Sequence, residues 1–322
     1  MIRIERIDPL QHVQEASCVI KAAWQPPCLH YTPDYLRWQF SFPGSLPPIG
    51  LAAYNDDEMI GFNSAIVRRL RCREFTAEVC LVCLSAVHPA WRGSRAAGLL
   101  YKTMLGMAEE TRRPIIGFVE AGSEGERRAE RAVSGAGYAL QWLGPFPGYG
   151  YVPRPDAPSN AVQVVETEDP LDLLPALQAC RREDTLWNAP DETMLAHYHK
   201  DPRPHALTLL YGPEGDLRGA AIVVQAEFVT AQGLRPAVSI DNLFLPDPDA
   251  GTLQALCQFA AHRWAEPGRP VRIILPNVWG IDPEVLQEAG LRQRPGKFAG
   301  NVTTIEPDHP FLAARGTNLE IV

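Results

Sequence analysis

Over the first 143 residues, runs of alternating apolar and polar positions interleave with segments of helical period. Arg3–Ile7 predicts a short strand, and Pro9–Trp24 a helix whose stripe runs through Val13, Ala16 and Ile20. Thr32-Pro33-Asp34 reads as an N-cap with proline at the first helical position, opening a helix through Tyr35, Leu36, Trp38 and Phe40. Clustered aromatics at that spacing are read as core, Trp24 and Tyr31 with them. Ile49–Tyr54 and Met59–Val67, joined at Asn55-Asp56-Asp57, predict a hairpin. A long strand over Thr76–Val87 follows, then a helix over Ser94–Glu110, a buried strand over Pro114–Val119, an arginine-rich helix over Gly125–Ser134 and a closing strand over Tyr138–Leu143.

Between Gly144 and Asn160 the prolines 145, 147, 153, 155 and 158 mark a boundary. Tyr149 and Tyr151 within it are read as surface or hinge aromatics, or as covers of a substrate pocket. The order then restarts. Val162–Glu166 predicts a strand, Leu171–Leu186 and Glu192–Tyr198 helices, and Leu207–Tyr211 with Leu217–Phe228 a hairpin around a turn at Gly212–Gly215. Strand Val238–Leu245, helix Thr252–Trp264, strand Val271–Leu275, helix Pro283–Ala289 and a strand from Leu291 complete it. Tyr54 and Tyr211, Gly61 and Gly219, Pro89 and Pro246, and Gly137 and Gly290 recur at a nearly constant offset. We read a duplicated unit: a domain over 1–152, a proline-rich linker over 153–160, and a second domain over 161–322.

A length of 322 residues fits two domains, and 46% apolar with 21% charged residues is the balance of a globular chain. The net charge of -8 argues against a protein that coats nucleic acid. All cationic side chains but Lys21, Lys102, Lys200 and Lys297 are arginine, a bias read as compositional. The seven cysteines lack the spacing of a disulfide framework. Cys80 and Cys83 sit on one strand, three residues apart and so on opposite faces, which is poor for chelation. No metal is expected. With no signal core and no membrane-length apolar run, a cytoplasmic location is expected.

The most informative segment is Val87-His88-Pro89-Ala90-Trp91-Arg92-Gly93-Ser94-Arg95-Ala96-Ala97-Gly98, joining the long strand to a helix. A helix start carries unpaired N–H groups and partial positive charge, so a pyrophosphate fits there, and Arg92 and Arg95 add charge-assisted bonds. A tight turn with solvated arginines is the plain alternative. Neither a Gly-Lys-Ser/Thr nor a G-x-G-x-x-G pattern occurs.

Strand, V-x-P-x-x-R-G, small residues and Leu99-Leu100 resemble the acyl-CoA-binding motif of the GCN5-related N-acetyltransferases. The helix ending Ser134-Gly135-Ala136-Gly137-Tyr138 resembles that family's ending of the next helix. The resemblance covers about residues 1–143 and, as a degenerate copy, about 160–305. It implies an α/β (α+β) fold of two tandem acyltransferase domains, each a mixed, mostly antiparallel sheet flanked by helices. It also implies acetyl-CoA or another acyl-CoA as cosubstrate, with Ala86 and Val87 on pantetheine and Arg92, Gly93, Ser94, Arg95, Ala96 and Ala97 on phosphate. Two departures matter. Arg95 replaces a glycine, and the family's frequent asparagine and tyrosine proton donor fall on Glu126 and Val133. The second copy has Leu245-Pro246-Asp247-Pro248-Asp249-Ala250-Gly251 at the loop position, an acidic run that would repel pyrophosphate.

Acyl transfer to an amine needs a base and donors for the thioester oxygen. Glu78, early on the long strand, and Glu120, ending the next, are the candidates; each is alternatively a carboxylate pairing with nearby arginines. Asp241 and Asn242 interrupt an apolar strand, as a satisfied structural network or as binders of a polar substrate. His88 is read as a surface or adenine-side residue, and His197 and His199 as solvent-facing. The expected reaction is acetyl transfer to a primary amine of a small molecule, by a monomer or homodimer that engages neither nucleic acid nor membrane. Another acyl donor (a longer acyl-CoA, acyl-carrier protein or aminoacyl-tRNA) and a non-catalytic CoA-binding sensor are the alternatives.

Overall fold

The computed structural model describes residues 1–153, 164–180, 184–189, 191–203, 207–212, 217–264, 273–275, 280–317 and 319. The first half runs β1 (Ile2–Ile7), α1 (Val13–Ala23), β2 (Cys28–Leu29), α2 (Pro33–Phe40), β3 (Ile49–Asn55), β4 (Glu58–Cys72), β5 (Phe75–Val87), α3 (Ala96–Thr111), β6 (Ile115–Glu120), α4 (Glu124–Gly135) and β7 (Ala139–Tyr151). The second half repeats that order: β8 (Val164–Thr167), α5 (Leu174–Ala179), β9 (Thr185–Asn188), α6 (Glu192–Tyr198), β10 (Leu207–Tyr211), β11 (Gly219–Thr230), β12 (Gly233–Phe244), α7 (Ala250–Arg263), β13 (Ile273–Leu275), α8 (Pro283–Glu288) and β14 (Leu291–Thr304). A two-residue strand, β15 (Gly316–Thr317), follows.

Local chemistry explains the boundaries. The Thr32 hydroxyl accepts from Tyr35 N at 3.2 Å and Pro33 needs no partner for a missing N–H, so α2 starts there. The stripe Val13, Ala16, Val19 and Ile20 buries one face of α1 against β4 and β5. Three expectations are corrected. Leu171–Leu186 is not one helix: α5 ends at Ala179, and Thr185–Asn188 is a strand. Its Trp187 and Asn188 pair with Arg71 and Leu70 of β4, so a tertiary ladder overrides helical spacing there. The closing strand runs on to Tyr151 rather than stopping at Leu143, and the prolines it contains lie at register irregularities against β14. Tyr149 and Tyr151 are buried in the second half's core, as neither hinge nor surface groups. Residues 154–160 of the expected linker, and 213–215 of the expected turn, lie outside the described residues.

The strands form one sheet in the order β1-β3-β4-β5-β6-β14-β7-β13-β12-β11-β10-β8. The halves exchange their last strands. β14 lies between β6 and β7, with Thr303 opposite Ile115, while β7 pairs with β13 of the second half. The short strands are reciprocal too: β2 adds to β11, and β9 adds to β4. Each half therefore contributes the same patches to the other, the pattern of an isologous pair within one chain.

Candidate functional site

In the first half, β5 and β6 run parallel but pair only at Cys80–Ile115 and Leu81–Ile116. Beyond them β6 is held by β14 on its far side, and β5 by β4 alone, so the two strands part. A bulge marks the parting: Ser64 faces Leu84 and Ala65 faces Val82, leaving Cys83 as the extra residue. Bulges bend a strand and re-aim its side chains. The opening leads up past Ala86 and Val87 to the α3 loop. There Gly93 adopts φ +84°, a backbone that other residues rarely take. Among the described residues, the amides of Gly93, Arg95, Ala97 and Gly98 have no hydrogen-bond partner. Four such N–H groups at a helix start make an anion site. The amides of Arg92, Ser94 and Ala96 are instead used within the loop, by Pro89 O, Trp91 O and Ser94 Oγ. The Arg92 guanidinium donates to Ala23 O at the end of α1, which leaves Arg95 as the exposed loop cation with no partner among the described residues.

The second half has the same bulge and the opposite loop. β12 pairs with β13 only at Val238 and Ser239, and Asp241 is its extra residue, the counterpart of Cys83. Its α7 start is closed by a carboxylate: Asp249 accepts from Thr252 N at 2.8 Å and from the Thr252 hydroxyl at 2.5 Å. That carboxylate repels a second anion.

Where the halves meet, Asp241 joins a buried polar group. Arg203 donates to Asp241 Oδ2 at 2.5 Å and to Asp201 at 2.5 to 3.0 Å, and Ser239 Oγ donates to Asp241 Oδ1 at 2.5 Å. The guanidinium lies 4.8 Å over the Tyr35 ring. Burial works against the charge of Arg203, but Asp241 and Asp201 prevail and hold its pKa well above the ordinary value. Tyr31, whose pKa burial raises, lies edge-on to Tyr35 at 5.9 Å and belongs to the same core cluster as Cys83 at the β5 bulge. A narrow cavity of about 20 Å3 is lined by Gln39, Asn242, Asp241, Arg203 and Arg68. Gln39 Oε1 and both amide atoms of Asn242 are buried in it without a partner. A cavity of about 230 Å3 adjoins it, sharing Phe42 and Arg68.

No family model matches the sequence, and no curated protein matches it. Solved structures do. N-myristoyltransferase of Saccharomyces cerevisiae, with bound myristoyl-CoA, superposes over 100% of this chain and 85% of its own, at 11% identity and a TM-score of 0.69. A putative acetyltransferase of Pyrococcus horikoshii matches at 13% identity over 99% of this chain and 95% of that one, with a TM-score of 0.59. A GCN5-related N-acetyltransferase of Sphaerobacter thermophilus gives 14%, 94%, 96% and 0.57. The chain has the GCN5-related acetyltransferase fold.

Within that fold, Glu78 and Glu120 are not brought together. Glu78 lies three residues below the last β5–β6 pairs and Glu120 four above, roughly 23 Å apart along the strands at about 3.3 Å per residue. Glu78 accepts from Arg113 at 2.7 and 3.1 Å, and the Ser45 hydroxyl and Arg113 hold its carboxyl below the usual range, which weakens it as a base. Glu120 is exposed at the mouth of the opening. His88 caps the short turn after β5, its Nδ1 accepting from Ala90 N at 3.3 Å. His197 is not solvent-facing: it is buried and stacked on Trp38 at 5.1 Å, while His199 is exposed. Val133 is core. Cys80 and Cys83 lie in cores on opposite faces of the sheet, and among the described residues no three His, Cys, Asp or Glu side chains gather as a metal needs. No described helix is long and apolar enough to cross a membrane. Sequence reasoning missed Gly98, Gln39, Asp201 and Arg203. Arg203 sits in a Pro-flanked loop with no periodicity, so only the tertiary fold reveals its role.

Proposed function

We propose that this chain transfers an acyl group from acyl-CoA to a primary amine of a small molecule, with acetyl as the expected group. The observation that carries this reading is the β5–β6 opening leading directly to four unpaired amides at the start of α3. Pyrophosphate sits on the amides of Gly93, Arg95, Ala97 and Gly98 with Arg95 beside it, and pantetheine runs along Ala86 and Val87, where β5 lacks a β6 partner. The carboxylate cap at α7 argues for one CoA per chain, in the first half. The thioester then ends near the Cys83 bulge, against Tyr31 and the Asp241 group.

The amine approaches from the junction of the halves. The 20 Å3 cavity admits one water-sized group, the size of an ammonium, and its unpartnered carbonyl oxygens on Gln39 and Asn242 lie beside the Asp241 carboxylate. Once a proton has gone to water, the nitrogen attacks the thioester carbon; the C–N bond forms, the C–S bond breaks, and the nitrogen's second proton passes to the CoA thiolate. Neither Glu78 nor Glu120 is needed for this step.

Calorimetric titration with acetyl-CoA, followed by free-thiol release across amines and acyl donors, tests the reading. Wild type binds, Arg95→Ala binds about tenfold more weakly, the ~1.4 kcal/mol of one lost charged contact, and Asp249→Ala binds as wild type. Absence of binding overturns the cofactor assignment. Binding without thiol release from any acyl-CoA overturns the transferase and leaves a CoA sensor.

A further inference from the structure

The 230 Å3 cavity beyond Phe42 and Arg68 is not required by amine binding alone, and its lining has its own chemistry. It is walled by the loop after α2 (Gly44, Ser45), by Arg68 and Arg69 of β4, by Glu78, and by Asn188 and Asp191 of the second half. Three of its four charged side chains are occupied. Arg68 donates to the Tyr198 hydroxyl at 3.1 Å and lies 4.3 Å over Phe42; Glu78 is held by Arg113; Asp191 caps α6, accepting from Thr193 N and Met194 N. Arg69 is the fourth: exposed, it stands opposite Glu78 across the β4–β5 ladder and its charge helps to hold that carboxyl down, so Arg69 and Arg113 share one carboxylate and leave a net positive charge. Asn188 is 2% exposed, and its Oδ1 has no partner. An exposed cation with positive charge in excess, near a buried orphan acceptor, is complementary to a ligand with an anion and an N–H or O–H donor.

Resting on the transferase reading above, we propose that the acceptor is a small zwitterion, an amine carrying a carboxylate. It is taken into this vestibule with the carboxylate on Arg69 and a donor on Asn188 Oδ1. The Arg68–Phe42 pair divides the vestibule from the narrow cavity at Gln39 and Asn242, so the amine must pass it to reach the acyl group. Arg69 is then a specificity residue, remote from the reacting atoms. A volume of 230 Å3 holds a molecule of free amino-acid size and excludes a folded polypeptide.

The test reads binding in the absence of any acyl donor. Glycine, β-alanine and γ-aminobutyrate, each beside its own amide, are titrated calorimetrically into the full chain. At least one acid binds tenfold or more tightly than its amide; Arg69→Gln abolishes that preference, and Asn188→Ala weakens acid and amide together. Thermal unfolding of both variants verifies that they fold. If no probe binds, if amides match acids, or if Arg69→Gln keeps the preference, the proposal is overturned. Acylation of plain alkylamines as fast as of amino acids overturns it too, while leaving the transferase intact. Failure to bind acyl-CoA removes the transferase without touching this readout.

Discussion

Replacing Arg203 by methionine keeps the apolar stem and removes the charge at the junction. Four N–H to carboxylate contacts of 2.5 to 3.0 Å are lost, three to Asp201 and one to Asp241. The side chains of Arg203, Asp201 and Asp241 are 11%, 2% and 14% exposed, so water cannot take the arginine's place. An exposed pair would be worth about 0–1 kcal/mol, but stranding a buried partner costs about 3–5 kcal/mol, and here two are stranded. The contact with Tyr35 adds about 2 kcal/mol in so dry a setting. Urea unfolding of Arg203→Met is therefore expected to show a loss of at least about 3–5 kcal/mol. Adding Asp241→Asn removes one stranded charge, so the double variant recovers at least about 1 kcal/mol over the single one. A single-variant loss under about 1 kcal/mol, or a double variant less stable than the single, would show that water reaches this group and refute the dry amine cavity built on it.

Two further predictions follow from the titratable groups. Glu78 is held below its ordinary value of 4.5 by Ser45 and Arg113, so its ionised form stabilises the fold above that pH, and the contribution fades as pH falls through the lower, folded value. Glu78→Gln is thus expected to lower the unfolding free energy at pH 7 by less than about 1 kcal/mol for so exposed a pair, with the gap closing below pH 4.5 in urea unfolding; a pH-independent gap would contradict this. Burial pushes the Cys257 thiol up to about 12, whereas Cys18 is exposed, so iodoacetamide at pH 8 labels Cys18 first and Cys257 only on unfolding. Mass mapping of labelled native protein checks the order.

Much of this architecture was legible because period and punctuation agree. The hairpins, the Thr32-Pro33 start of α2 and the repeat of element order all follow from local signals, and the α3 loop could be placed from its small residues. What escaped was tertiary. Thr185–Asn188 is a strand because β4 offers it an edge, and β7 runs through its prolines because β13 and β14 flank it. Asp241 was visible as a polar break in an apolar strand, but its bulge position, its arginine and its symmetry with Cys83 need the pairing register. Glu78 and Glu120 share a chemistry but not a place, which spacing along one strand cannot reveal.

The exchanged last strands impose an order on synthesis. The β6 edge emerges from the ribosome early, yet the strand that covers it, β14, is among the last made, so Ile115 waits for Thr303. The nascent first half holds an apolar, unpaired edge through that interval, the kind of surface that recruits other chains. Long-range pairing of this sort is slow to form. A product truncated between Tyr151 and Leu291 would keep that edge bare, and its readiest cover is β14 of an intact copy, an open-ended exchange in place of the closed one within the chain.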